Sequence, residues 1–377
     1  MLDRYAQDLA SLAARGRLRA LAPRAGIDFA SNDYLGLAES PELAAALAAA
    51  LARGVPVGAG GSRLLRGNHP EHEALEEEAA RFFGAESALY FSGGFTANEA
   101  LLSTVPQRND FILYDALAHA SAHEGMRLAR APNARFSHND VGAAQDAIRL
   151  WHEKGGRGKI WIVVESLYSM DGDKAPLEDL YALAATSDAF LLIDEAHATG
   201  VYGPGGRGLA ARFEGAENVI SLHTCGKAMG VVGGLLCLPR VLRDFMINRC
   251  RPFIFATAPS PVMAACVRAA LKIVAAADAR RAELMTRIDC VGDELRRLCA
   301  IEPSASQIQP IIVGSDVRAT TLASRMQAHG YDIRAIRPPT VPDGSARLRI
   351  ALTLNASTED MTRMVAHLGE ELARLEA

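Results

Sequence analysis

The chain reads as an α/β protein built on a mainly parallel sheet, and three observations predict it. Short apolar runs recur at 88–91, 111–114, 160–164, 190–193, 219–222 and 234–238. Longer segments with helical spacing separate them, the alternation expected of strands joined by crossover helices. Charged and small residues gather just after the runs, where parallel sheets carry their functional loops. At 377 residues the chain is long for a single core, so a large domain and a smaller one are expected.

Taken in order, residues 1–20 pattern as an amphipathic helix, with Leu2, Leu9, Leu12 and Leu18 on one side and arginines opposite. An extended piece at 27–30 follows, then an Ala-rich helix over 41–53, alanine being the best helix former. Residues 71–83 read as a helix with Leu75, Ala79, Phe82 and Phe83 on one face and Gly84 as its stop. After the six apolar runs, Ala-Pro-Ser-Pro at 258–261 breaks the pattern. A long Ala-rich helix then leads to strands at 309–313 and 347–351. The expected organisation is an N-terminal helix and arm over 1–42, a large α/β domain over 43–257, and a smaller α+β domain over 258–377.

Hydrophobic residues make up 49% of the chain and charged ones 22%, as in ordinary globular proteins. A formal charge of -4 supplies no basic face for nucleic acid. The N-terminus lacks the apolar core of a signal peptide, and no stretch approaches the ~18 apolar residues that span a bilayer. Cys225, Cys237, Cys250, Cys266, Cys290 and Cys299 form no Cys-x-x-Cys pair. Reduced thiols and a cytoplasmic location are expected, with neither nucleic acid nor membrane as partner.

The chemistry centres on Lys227, in Ser221-Leu-His-Thr-Cys-Gly-Lys-Ala-Met-Gly just past the run at 219–222. Alone it reads as a surface lysine. Asp194 alone reads as a strand-end cap, ending the run Ala189-Phe-Leu-Leu-Ile-Asp and followed by Glu-Ala-His197. Together they supply what pyridoxal phosphate (PLP) chemistry requires. An amine binds the cofactor's aldehyde carbon, and a carboxylate keeps the pyridine nitrogen protonated. Ser92-Gly-Gly-Phe-Thr-Ala-Asn follows the run at 88–91 and opens a helix. Its glycines suit either a plain tight turn or a phosphate resting on a helix N-terminus. Thr224 offers a hydroxyl to the same phosphate. His119 forms a His-x-x-x-His pair with His123, but no third ligand is arranged for a metal. A flat imidazole stacked on the pyridine ring is the better use of it.

Two other motifs are set aside. Gly203-Pro-Gly-Gly-Arg-Gly208 fits G-x-G-x-x-G, yet contains a proline and has Ala228 where a ribose-binding acid belongs. Asp194-Glu-Ala-His resembles the magnesium-binding segment of a helicase, but the required P-loop is missing: Ala228 follows Gly226-Lys227 where Ser or Thr must stand, and Ser221 stands in place of the first glycine.

The combined motifs resemble the α-oxoamine synthases, PLP enzymes of the fold-type I, aminotransferase-like transferases. The carriers are Ser31-Asn-Asp-Tyr-Leu-Gly-Leu, Gly60-Gly-Ser-Arg with Gly67-Asn-His-Pro, Ser92-Gly-Gly-Phe-Thr-Ala-Asn, Phe136-Ser-His-Asn-Asp, Ser169-Met-Asp-Gly-Asp, Asp194-Glu-Ala-His-Ala-Thr-Gly, Thr224-Cys-Gly-Lys and Arg337-Pro-Pro-Thr-Val-Pro. The last favours an alanine-using branch over glycine-using ones such as glycine C-acetyltransferase or 5-aminolevulinate synthase. Departures are Ala198, where the family usually has glycine, and Met229-Gly-Val-Val-Gly-Gly after the lysine.

The resemblance implies that Lys227 binds pyridoxal 5'-phosphate, that Asp194 pairs with its pyridine nitrogen, that His119 stacks on its ring and that His197 bonds its phenolic oxygen. Gly94, Phe95, Ser169 and Thr224 would surround the cofactor, Thr224 at the phosphate. Arg349 would hold the amino-acid carboxylate, Asn32 would bind substrate, and Arg19 and Thr340 would meet the acyl substrate. Arg347, two residues from Arg349 on the same strand face, reads as a solvated arginine. The implied reaction is decarboxylative condensation of L-alanine with a pimeloyl thioester, carried on acyl carrier protein or coenzyme A, as a step of biotin biosynthesis. A homodimer with shared active sites is implied as well, through the loops Gly60-Gly-Ser-Arg and Ala256-Thr-Ala-Pro-Ser.

Overall fold

The computed structural model describes residues 1–376. By contact the chain divides into two units, a smaller one of Met1–Tyr34, Met170–Asp173 and the chain from Ala282 onward, and a larger one of Leu35–Ser169 and Lys174–Arg281. Strand β1 (Ile27–Asp28) belongs to the smaller unit. The larger unit holds β2 (Ser87–Phe91), β3 (Phe111–Asp115), β4 (Asn133–Phe136), β5 (Ile160–Glu165), β6 (Ala189–Asp194), β7 (Val219–Thr224) and β8 (Gly234–Leu238). The chain returns to the smaller unit for β9 (Ile308–Gly314), β10 (Tyr331–Asp332), β11 (Arg334–Ile336) and β12 (Ala346–Ala351).

The seven strands of the larger unit form one sheet in the order β2-β8-β7-β6-β5-β3-β4. The stretch from β7 through β6, β5 and β3 to β4 is parallel, whereas β8 runs antiparallel to both β7 and β2. Both faces of such a sheet are covered, so its strands read as unbroken apolar runs. Side chains alternate between two cores. On one face Ile112, Trp161, Val163, Leu192, Ile220 and Leu222 pack with Ala97, Ala100 and Leu101 of the helix Gly94–Thr104. On the other, Leu113, Ile162, Val164, Leu191 and Ile193 pack with Ile148 and Leu180. The alternation sends Glu165, Asp194 and Thr224, the last residues of β5, β6 and β7, to the face covered by Gly94–Thr104.

The six anticipated strands of the sheet are present. Strand β4 was not anticipated, because it is an edge strand with mostly exposed or half-buried residues, Asn133-Ala-Arg-Phe, and leaves no apolar run. The observed division also differs from the expected boundary near 257. Residues 258–281 group with the larger unit because the helix Pro261–Ala275 packs against Pro41–Ala52 and Pro70–Phe83. The N-terminal helix forms over Asp3–Ala14, but none of its residues is buried, and Leu2, Tyr5 and Leu9 stand exposed. No helix among the described residues is long and apolar enough to cross a membrane.

In the smaller unit β9, β12 and β11 form an antiparallel sheet with β12 at its centre, and β1 pairs with β10 in parallel. Every residue of β12 is buried, so the reading of Arg347 as solvated is corrected. Its side chain is 4% exposed and donates to Asp171 Oδ1 at 2.6 Å and to the Met170 carbonyl at 3.2 Å. A central strand covered on both faces leaves an arginine no route to water, so it needs these acceptors. Because Asp171 is itself 32% exposed, the pair is worth less than a fully buried one. Arg347→Ala is expected to lower unfolding free energy by about 2 kcal/mol, the range of a hydrogen bond to a charged group, with Asp171→Asn losing less. Urea denaturation of the three proteins checks this.

Candidate active site

A parallel sheet delivers its strand ends to one edge, and the expected cofactor residues of the larger unit meet there. Asp194 closes β6 and is buried. Its Oδ1 accepts from the Ala196 amide at 2.9 Å, and its Oδ2 accepts from Asn98 Nδ2 at 2.7 Å. Lys227 lies in the loop between β7 and β8, which is closed by Cys225 N–H to Gly233 O and Gly230 N–H to Lys227 O. Its Nζ stands 2.6 Å from Nε2 of the buried His197. Lys227 and His197 are thus brought together in the loops that follow β7 and β6.

His119 is the N-cap of the helix Ala120–Leu128, its Nδ1 accepting from the Ser121 amide at 3.2 Å. Since a backbone N–H can only donate, Nδ1 carries the lone pair and the ring proton sits on Nε2. Ser121 Oγ also lies 2.8 Å from Nδ1 and accepts from Asn98 Nδ2 at 3.0 Å. One chain of hydrogen bonds therefore joins Asp194, Asn98, Ser121 and His119. Burial pushes the His119 imidazole below its ordinary pKa, against the pull of Asp194, so the ring is held neutral. Asn98 and Ser121 were missed as site residues although Asn98 ends the quoted glycine motif. Only the fold shows that it sits one turn into the helix, over Asp194.

The helix Gly94–Thr104 starts at the same edge, and its N-cap Gly93 provides no side-chain cap. Its first amides are thus left for another acceptor, as a phosphate site requires. Thr224 ends β7, and a Cβ on Gly94 would stand 3.3 Å from its Oγ1. Glycine keeps that approach open. Phe95 is 47% exposed and meets His119 edge-on, ring centroids 6.3 Å apart. These features fit the cofactor the sequence implies: a carboxylate for a ring nitrogen, a lysine, a flat neutral imidazole and an uncapped helix start. Ser169 is buried, and its amide donates to Glu165 Oε2 at 3.0 Å. Glu165, the last residue of β5 and in register with Asp194, was also missed. Its signal was present as a carboxylate ending an apolar run.

The expected substrate residues fall in the smaller unit. Arg349 is buried in β12, and its Nη2 donates to Asn32 Oδ1 at 2.9 Å and lies 3.4 Å from Tyr34 Oη. Tyr34 Oη donates to the same Asn32 oxygen at 3.0 Å. Arg349 and Asn32 thus form one cluster, with Tyr34 as a third member. Arg19 and Thr340 are both exposed, and Thr340 donates its amide to Arg337 O at 3.1 Å. The structure does not bring Arg19 or Thr340 into the Arg349 cluster.

The discarded glycine motif 203–208 has a structural use. Glu195 is buried and accepts from the amides of Leu209 and Ala210, at 3.0 and 2.5 Å. A Cβ on Gly208, at φ +101°, would fall 2.3 Å from Glu195 Oε2, so the loop needs glycine there. Burial pushes the Glu195 carboxyl up to about 8.

Comparison with known proteins agrees with this geometry. The family model of class I and II aminotransferases matches residues 24–368. An 8-amino-7-oxononanoate synthase of Azoarcus is 41% identical over 98% of this chain and 97% of its own length. One of Chromobacterium violaceum is 41% identical over 88% and 85%. Among solved structures, the serine palmitoyltransferase of Sphingomonas wittichii aligns with TM-score 0.88 at 28% identity, over 99% of this chain and 97% of its own. The 8-amino-7-oxononanoate synthase of Francisella tularensis aligns with TM-score 0.79 at 27% identity, over 93% and 99%.

The hydrogen-bond chain makes Asn98 the support of Asp194. Asn98→Ala leaves a buried carboxylate oxygen without that donor and is expected to cost about 1.5–3 kcal/mol of stability. Ser121→Ala, one link further from the charge, should cost less. Chemical denaturation of both variants at neutral pH gives the order, and equal losses would place the charge support elsewhere.

Proposed function

Because this chain belongs to the class I and II aminotransferase family and, within it, to the group of the 8-amino-7-oxononanoate synthases, we propose that it condenses L-alanine with a pimeloyl thioester. The products are 8-amino-7-oxononanoate, carbon dioxide and the free thiol carrier, a step of biotin biosynthesis. The observation that carries the reading is 41% identity to such a synthase along 98% of the chain, with Lys227, His197, Asp194 and His119 meeting at one sheet edge. Bound pyridoxal 5'-phosphate supplies an electron sink for negative charge at the amino acid's α-carbon.

The chain's own residues prepare that chemistry. Lys227 Nζ would hold the cofactor, and it is the base placed to take the α-carbon proton. Asp194, fixed by Asn98 and the Ala196 amide, holds a proton on the ring nitrogen. His119, neutral and held by Ser121, would cover a ring face, and His197 would bond the phenolic oxygen. Thr224 and the amides opening Gly94–Thr104 receive the phosphate, with Phe95 and Ser169 beside the cofactor. Arg349 takes the alanine carboxylate through its planar fork, oriented by Asn32. Arg19 and Thr340 are assigned to the acyl substrate, delivered on acyl carrier protein or coenzyme A. A cytoplasmic homodimer completes the reading. The loops proposed to reach the partner support each other, Ala258 N–H donating to Gly61 O at 2.9 Å.

The test is an assay of the purified protein with pimeloyl thioester and alanine, glycine or serine. Alanine should give product and carbon dioxide far faster than the other two, and Lys227→Ala should give none. Preference for glycine or serine would assign a different branch. Arg349→Lys keeps the charge but loses the fork, and is expected to raise the alanine KM by about tenfold or more while the bound-cofactor spectrum stays unchanged. Equal KM in variant and parent would put the carboxylate anchor on another residue.

A further inference from the structure

At the edge where Asp194 stands, a second carboxyl group lies beside it. Glu165 ends β5 as Asp194 ends β6, and the two are paired in register. In a parallel pair, register partners project to the same face. The cores confirm that face, since Trp161 and Val163 below Glu165 and Leu192 below Asp194 belong to one cluster. Glu165 is 3% exposed. Its Oε2 accepts from the Ser169 amide at 3.0 Å, while its Oε1 is buried without a hydrogen-bond partner. A buried carboxylate with an unsatisfied oxygen and an acidic neighbour is an expensive arrangement. Nothing in the roles given above uses it.

We propose that Glu165 is a further positioning residue of this site, a carboxyl that holds its own proton beside Asp194 and sets the proton affinity of the Lys227 nitrogen. The proposal rests on the reading of this edge as the cofactor site. The groups around Glu165 bear it out. On β6 the neighbour is Asp194, whose charge opposes a second one. From the loop after β7 comes Lys227, whose charge favours it. Its own segment offers Ser169. On the other side, β3 ends in Asp115, which the alternation sends to the opposite face and which His138 and the amides of Leu117 and Asn139 already hold. Burial first, and Asp194 second, push the Glu165 carboxyl up to about 8.

The consequence has a definite sign. Below that value the protonated carboxyl is neutral, and Asp194 keeps its place without a like charge beside it. Above it, ionised Glu165 adds a negative charge near Lys227 and holds a proton more tightly on that nitrogen. At and above that value, removing Glu165 as an acid therefore lowers the proton affinity of the lysine nitrogen. Glu165→Gln is the isosteric choice, because its carbonyl still accepts from the Ser169 amide.

Two measurements test this. In the cofactor-loaded protein titrated through and above pH about 8, where Glu165 ionises, the midpoint of the bound-cofactor absorbance should fall by about one unit in Glu165→Gln, the lower end of shifts from a nearby charge. In the cofactor-free protein, Glu165 gives the parent a proton-linked stability, because its folded value lies above the unfolded one. That contribution is fully present below about 4.5 and lost as pH rises through about 8. The parent's melting temperature should therefore fall relative to Glu165→Gln between these limits. An unchanged absorbance midpoint, or a melting difference constant with pH, overturns the proposal. If neither protein binds pyridoxal phosphate, the cofactor reading itself fails, and the melting comparison still decides whether Glu165 carries the proton. Should Glu165→Gln not fold, Asp194→Asn in the cofactor-free protein gives a second route. It must shift the parent's melting profile toward lower pH by removing the opposing charge, and an unmoved profile counts against the proposal.

Discussion

A carboxylate taken out of water must be met by donors, and the active edge of this protein is arranged around that demand at Asp194. On the face that Asp194 takes, Trp161, Val163, Leu192, Ile220 and Leu222 fill the sheet below it, so the strands offer it no polar partner there. Donors can come only from where strands end and helices begin. The Ala196 amide, two residues on, provides one, and Asn98 in the second turn of Gly94–Thr104 provides the other. Asn98 then has a second proton to give, and Ser121 takes it and passes the constraint to His119. The orientation of the imidazole is thus tied to the fixation of an acid on a different strand.

The parallel topology is what makes this economical. Each crossover returns the chain in the same direction, so every strand of the sheet except the antiparallel β8 presents its last residue at one edge. The side-chain alternation fixes which face that last residue takes, and a slip of one residue would send it into the opposite core. Trp161, Val163, Leu192, Ile220 and Leu222 lock that register by filling one face. Packing far from the reacting groups therefore sets the positions of Glu165, Asp194 and Thr224. The lysine needs more latitude than a strand allows, and it is placed on a loop held by its own backbone bonds.

Much of this was legible in the residues. Buried parallel strands announce themselves as apolar runs, and the end of each run marks the edge where chemistry can sit, which is why Asp194 and Lys227 stood out. Strand β4 was not legible because an edge strand need not be apolar. Arg347 was misjudged because alternation says which residues share a face but not whether that face meets water, and β12 lies between β9 and β11. Asn98 and Ser121 were hidden for another reason. Their partners lie on other strands, and a hydrogen bond between Asn98 and Asp194 leaves no periodic trace in sequence. Arg349 and Asn32 were named through resemblance, and their direct bond is a finding of the fold.

Glu165 and Asp194 show how differently one chemistry can be used at equivalent places. Both are acids, both end a strand of the same sheet, both face the same core, and both are buried. Their donors differ: Asp194 has both oxygens met, by a backbone amide and a carboxamide, whereas Glu165 is served by Ser169 and keeps Oε1 without a hydrogen-bond partner. Glu165 is out of water, and two negative charges on adjoining strand ends repel each other more than a buried site sustains, even with the Lys227 charge favouring a second carboxylate. The less supported acid is the one that keeps its proton. That asymmetry leaves the better-held carboxylate free to serve a ring nitrogen. It also gives the lysine a neighbour whose charge changes within the range where enzymes commonly operate. The pairing of a fixed acid with a yielding one follows from burial, register and donor placement, before any substrate arrives.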